Sequence, residues 1–166
     1  MRTMSRCSSL RPLLLALGLW LVVSASPAPV LGQDQDIAVI VHRDVPVDNL
    51  PLTELRRILL GDREFWSAGM RVTLLVRAPV ARERDVAIKQ VCQMTEAQFR
   101  QHWIGKVFRA ETPSGPKIVY SNEMAIDQVS RTPGAITFIE KNLATKAMKV
   151  LKIDGLLPGQ SGYKVH

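Results

Sequence analysis

Short β-branched runs that recur between stretches of helical spacing constrain this chain more than any other feature. Residues 37–42 (IAVIVH) form a run, apolar up to His42, of the kind a strand shows when both its faces are covered. Comparable runs follow at 71–77 (RVTLLVR), 117–120, 135–139 and 149–153. Between them, Leu55, Ile58 and Leu59 mark one helix, and Val86, Ala87 and Val91 mark a second over residues 82–92. Phe99 and Trp103, four apart, mark a third, and Ala125, Ile126 and Val129 a fourth over 122–131. Strands and helices in alternation predict an α/β fold: a single lobe with a mostly parallel central sheet and helices on both faces.

Local signals set the boundaries. Thr53 is placed to cap the first helix and Gly61 to end it. Trp66, Ser67 and Gly69 read as a turn, and residues 112–116 (TPSGP) as a loop. Thr95 and Gln98 have the spacing of a capping box, and Ser121 that of a cap. Pro133-Gly134 turns the chain into the strand that follows. The stretch 156–166, with Pro158, Gly159 and Gly162, reads as an exposed C-terminal tail.

The first residues read as an address. Arg2, Arg6 and Arg11 precede an apolar run over residues 13–23, and small and turn-forming residues follow over 24–32. This is the order of a secretory signal peptide. Cleavage is expected after Gly32, with Ala28 as the alternative site and an uncleaved anchor as the competing reading. The run is short for a transmembrane span, so no stable span is expected once the signal is removed. Residues 1–32 hold three arginines and no acidic residue, so their removal lowers the formal charge from +7 to +4. A periplasmic or secreted protein of that modest charge, its domain spanning 33–155 and without a basic run, is not a nucleic-acid binder. Cys92 is then left without a cysteine partner and reads as a small buried apolar site.

No constellation of an enzyme is present: there is no GxSxG, no Gly-rich phosphate loop with lysine, no HExxH and no pair of cysteines at metal spacing. No metal and no cofactor are expected. His42, at the end of a strand, reads as a core-edge residue unless a partner activates it; His102 reads as solvent-facing. The segment with chemical promise is 75–85 (LVRAPVARERD), where a strand ends in Arg77 and a helix begins with Arg82, Glu83 and Arg84. Beyond the carboxyl end of a parallel strand, helix N–H groups favour an anion, and arginines add bidentate donors. Arg77, Arg82 and Arg84 are therefore the candidate ligand-binding residues. The competing reading pairs Arg82 and Arg84 with Glu83 and Asp85 as surface charges, and gives Arg77 a structural salt bridge.

Several segments together resemble the PstS-like periplasmic phosphate-binding proteins of ABC transporters. They are LTELRRILLGDREFW, RVTLLVRAPVARERDVAIKQV, MTEAQFRQHW, IVYSNEMAIDQVSRTPGAITFIE and KVLKIDG, in that order. TPGAITFIE, similar to the family's Pro-Gly-Ala-Ile-Gly-Tyr strand entry, and the LLGDREFW turn are the most specific. The resemblance implies one lobe of a type 2 periplasmic binding fold, where full members close two lobes over the ion. In that family the arginine ending this strand is followed by an acidic residue and a Ser-Gly-Thr segment. Arg77 matches the arginine, but Pro79 stands in the acidic position, and Ala81, Arg82 and Glu83 stand at Ser-Gly-Thr. What the resemblance implies is an exported, noncatalytic solute-binding-like domain that binds phosphate or another oxyanion in ABC-type uptake or sensing. The alternative is an envelope interaction module that has lost its ligand and meets a protein partner or a second copy.

Overall fold

The structure, a computed structural model, describes residues 36–66 and 69–166. The signal peptide expected over 1–32, and Ser67 of the expected turn, lie outside the described residues.

The first strand, β1 (Ile37–Val41), is buried along its whole length. A strand with protein on both sides divides its side chains by parity. Ile37, Val39 and Val41 enter one core, and Ala38 and Ile40 the other. The chain then forms β2 (Asn49–Leu50), α1 (Leu52–Leu59), β3 (Thr73–Arg77) and α2 (Arg82–Asp85). α2 runs on as a π-helical stretch over Val86–Val91, so the helix expected over 82–92 is present but changes its winding midway. Next come α3 (Glu96–Phe108), β4 (Lys117–Val119), α4 (Asn122–Arg131), β5 (Ala135–Glu140), β6 (Lys149–Val150) and β7 (Lys152–Ile153).

The five-stranded sheet has the order β4-β3-β5-β1-β6. β3 pairs in parallel with β4 and β5, but β1 pairs antiparallel with both β5 and β6. The sheet is therefore mixed, which corrects the expectation of a mostly parallel one. An apolar run covered on both faces looks the same in either direction, so its direction is invisible in sequence. Helices do cover both faces. α1, the π-helical stretch and Phe99 of α3 pack on one side; Ala125 and Val129 of α4 pack on the other. Among the described residues no helix is long and apolar enough to cross a membrane.

Two caps behave as their spacing predicts. The Thr95 hydroxyl accepts from the Gln98 N–H while the Gln98 side chain accepts from the Thr95 N–H, and the Ser121 hydroxyl accepts from the Met124 N–H. Thr53 does not cap α1, whose N-cap position is Pro51. Instead the Leu52 N–H donates to the Asp154 carboxylate at 3.0 Å, a partner 102 residues away. That bond, with Lys164 beside it, holds the Asp154 carboxyl below the usual range. The other end of α1 is closed from α3. Trp103, His102 and Lys106 donate to the carbonyls of Leu59, Leu60 and Gly61. His102 is thus half-buried and structural, and not solvent-facing. Gly61 ends the helix at φ +70°, and a Cβ there would meet the Trp103 ring at 2.6 Å.

The end of the chain is not an exposed tail. Tyr163 and Val165 are buried; the Ile37 N–H donates to the Val165 carbonyl, and the Tyr163 hydroxyl donates to the Ile37 carbonyl. The glycines and Pro158 that read as a tail are turns that bring this segment back beside β1. Trp66 likewise belongs to the core, its Nε1 donating to the Gly134 carbonyl at 2.9 Å.

Candidate functional site

Arg77 ends β3 in register with Val119 of β4, at the carboxyl edge of the parallel half of the sheet. Residues 78–81 then turn the chain into α2. Val80 sits at the tip of the turn, fully exposed, at φ 68°. A left-handed conformation costs an L residue on the order of 1–2 kcal/mol, so the turn is held by its surroundings and not by local preference.

Those surroundings are charged and buried. Nε of Arg77 lies 3.6 Å from the Glu83 carboxylate, and both side chains are largely buried, at 12 % and 4 % exposure. Nη1 of Arg77 reaches the Val119 carbonyl at 3.5 Å, the outer limit of a hydrogen bond. Nε itself makes no hydrogen bond, nor does Oδ1 of Asn122 at the start of α4. Glu123, the next residue, keeps its carboxyl below the usual range. Its own backbone N–H and the Ser121 hydroxyl contribute most, and the charge of Arg77 adds to them.

Arg84 is committed elsewhere. Its Nε and Nη2 form a bidentate pair with Glu96 at 2.9 and 2.7 Å, and Nη1 donates to the Arg77 carbonyl at 3.0 Å. The guanidinium lies 5.7 Å from the Phe99 ring centroid. This side chain ties α2, β3 and α3 together, each of its three nitrogens donating to a partner within the chain. Arg82 is half-buried at the helix start and forms no ion pair among the described residues. The structure thus gathers Arg77 and Glu83 at one corner and assigns Arg84 to the scaffold. Neither Glu83 nor Asp85 is the surface partner that sequence proximity offered: Glu83 takes Arg77, and Asp85 takes Lys89.

Other chemical candidates are quiet. His42 is buried at the end of β1, its Nδ1 accepting from the Asp44 N–H at 3.2 Å. Burial pushes the Cys92 thiol up to about 12, far from the range of a reactive thiolate. No group of three or more metal-ligating side chains occurs among the described residues.

A second surface adjoins this corner. Between α3 and β4 lies a groove of about 570 Å³ whose lining includes Pro79, Phe99, Trp103, Ile104, Phe108 and Ile118. Phe108 is 90 % exposed. Sequence reading passed over this groove, although Ile104, Val107 and Phe108 follow Phe99 and Trp103 around the helix and leave α3 apolar on more than one side.

No protein-family model matches the chain, and no curated protein does. Solved structures do match. The chain superposes on PstS from Borrelia burgdorferi with a TM-score of 0.62 at 18 % identity, covering 78 % of this chain and 53 % of that one. The fold is that of part of a PstS-like binding protein. A substrate-binding protein assigned to phosphate ABC transport in Clostridium perfringens, solved with bound phosphate, gives a TM-score of 0.60 at 19 % identity over 74 % of this chain and 46 % of that one. An ABC-type phosphate transport receptor from Vibrio cholerae gives 0.59 at 18 % over 74 % and 48 %. The chain therefore spans about half the length of the PstS-like structures it matches. Within this PstS-like fold, Glu83 is the residue whose importance only the structure reveals. In sequence it is one charge among four in ARERD; in space it is buried against the single arginine that the resemblance carries over.

Proposed function

We propose that this chain is an exported, noncatalytic PstS-like lobe that serves the cell envelope as an interaction module, its anion corner closed by its own Glu83. The observation that carries this reading is the buried Arg77–Glu83 pair. A guanidinium at the carboxyl end of a parallel strand attracts an oxyanion, and here a carboxylate of the same chain already supplies that charge. An incoming phosphate would have to displace Glu83 or share the corner with it, and two anions a few ångströms apart in a poorly hydrated site repel strongly. The hydroxyl donors expected of the family are also absent, since Ala81 and Glu83 stand in their places.

A second reading, retained anion binding, draws on the unpaired Nε of Arg77 and Oδ1 of Asn122. Calorimetric titration with inorganic phosphate separates the two. Under the proposal the unaltered protein gives no saturable heat, whereas Glu83→Ser uncovers weak binding that Arg77→Ala removes. Saturable binding by the unaltered protein that is lost in Arg77→Ala would establish the second reading in its place.

A further inference from the structure

Glu83 and Arg84 are neighbours on α2, and both meet the same residue at the end of β3. Glu83 lies against the side chain of Arg77, while Nη1 of Arg84 donates to the Arg77 carbonyl at 3.0 Å. The two contacts differ in what they can hold. Nε of Arg77 stands 3.6 Å from the Glu83 carboxylate and makes no hydrogen bond, so that attraction fixes no direction. Arg84 adds to its bond with Arg77 a bidentate pair with Glu96 of α3 at 2.9 and 2.7 Å. One planar guanidinium therefore sets three directed bonds in a single geometry.

Local structure holds the segment between them poorly. Ala81 offers α2 no side-chain cap, α2 has four residues before the winding changes, and the Ala81 N–H reaches the Ala78 carbonyl only at 3.3 Å. Val80 keeps a left-handed φ of 68° that a β-branched residue avoids, and its fully exposed side chain gains no packing there. A turn of this kind persists when its surroundings over-determine it. We infer that Arg84 is the positioning residue of the corner. By tying the Arg77 carbonyl to Glu96, it sets α2 in the register that lays Glu83 against the Arg77 guanidinium. A side chain that reads in sequence as a ligand donor thus decides, without touching the anion, whether an anion finds Arg77 free.

This inference rests on reading the corner as closed by Glu83, and its test separates the two. The nitrogen NMR signal of Arg77 Nε–H reports what lies beside that group, Glu83→Ser supplies the reference for an open corner, and inorganic phosphate is the titrant. Arg84→Lys keeps a positive charge facing Glu96 but loses the fork, since an ammonium is a point charge without the planar set of donors. Glu96→Gln weakens the same tie from the half-exposed side and serves where the Arg84 variant does not fold. In both variants the Arg77 Nε signal is expected to move toward its position in Glu83→Ser. Weak, saturable phosphate binding should appear with it, and should vanish when Arg77→Ala is added. If the signal stays in place and phosphate does not bind, although Glu83→Ser binds it, Arg84 is only a stabilising tie and the positioning role is overturned while the closed corner stands. A loss of stability with an unmoved Arg77 signal has the same meaning. If Glu83→Ser itself neither shifts the signal nor binds phosphate, the closed corner falls and this inference falls with it.

Discussion

The corner at β3 and α2 and the face of α3 and β4 meet at Pro79 and Arg84, yet they treat their functional groups in opposite ways. At the corner, each formal charge that points inward has an internal counter-charge: Arg77 has Glu83, and Arg84 has Glu96. On the face, the apolar side chains of Ile104, Phe108 and Ile118 stand exposed, and β4 pairs on one side alone, with β3, among the described residues. The comparison teaches where to look for function in this fold. A buried charge that already has a partner contributes to architecture, whereas an unpaired group at the surface remains free to meet another molecule.

The comparison breaks most readily at Arg84. Arg84→Ala removes a bidentate pair, a bond to the Arg77 carbonyl and contact with Phe99, and should cost about 3 kcal/mol of stability by chemical denaturation; the exposure of Glu96 keeps the loss at the low end for a buried pair. A loss near zero would mean that the corner is not the rigid element described. Glu83→Ala leaves the Arg77 guanidinium buried and unpaired, and should cost about 2 kcal/mol. If that variant is instead more stable than the parent, the Arg77–Glu83 pair is a strained contact and the closed-corner reading loses its support.

A smaller effect sharpens the same contrast through pH. The hydrogen bond from Arg84, ahead of other influences, holds the Glu96 carboxyl below its ordinary value. A depressed folded value means that the stabilisation is fully present above the unfolded glutamate range, about 4.3, and is lost as pH falls through the folded value. Glu96 is 39 % exposed, so solvent screening keeps the effect modest. Thermal midpoints between pH 6 and 3 should therefore fall less steeply in Arg84→Met than in the parent, and equal slopes would remove Glu96 from the account. The smallest effect is expected on the open face. Phe108→Ser should alter stability by less than about 0.5 kcal/mol, because a side chain that is 90 % exposed contributes little to the core. A large loss in that variant would show that Phe108 is a packing residue and that the face is less open than it looks.

Much of the scaffold is legible in one dimension. The capping box at Thr95 and Gln98, the cap at Ser121, the positive-φ stop at Gly61 and the burial of Cys92 all depend on groups a few residues apart or on intrinsic preference. Of the candidate site, Arg77, Arg82 and Arg84 stood out, Arg77 foremost because a charge directly after an apolar strand must lie at the end of that strand. Glu83 did not, since helix spacing sets its direction only relative to its own helix and not to the end of the preceding strand. Phe108 escaped notice for a related reason: an apolar residue on a helix reads as core until one sees that nothing packs against it.

The alternation of strand and helix, the two-sided burial of residues 37–41 and the local caps were determined by the sequence itself, because periodicity and short-range hydrogen bonding act between neighbours in the chain. The antiparallel course of β1, the cap of α1 by Asp154 and the return of Tyr163 and Val165 to the core were decided only in three dimensions. The same holds for the neutralisation of Arg77 by Glu83. Each of these joins groups whose encounter depends on how separate elements pack, and packing is set by the burial of shared apolar surface, not by the spacing of any one segment.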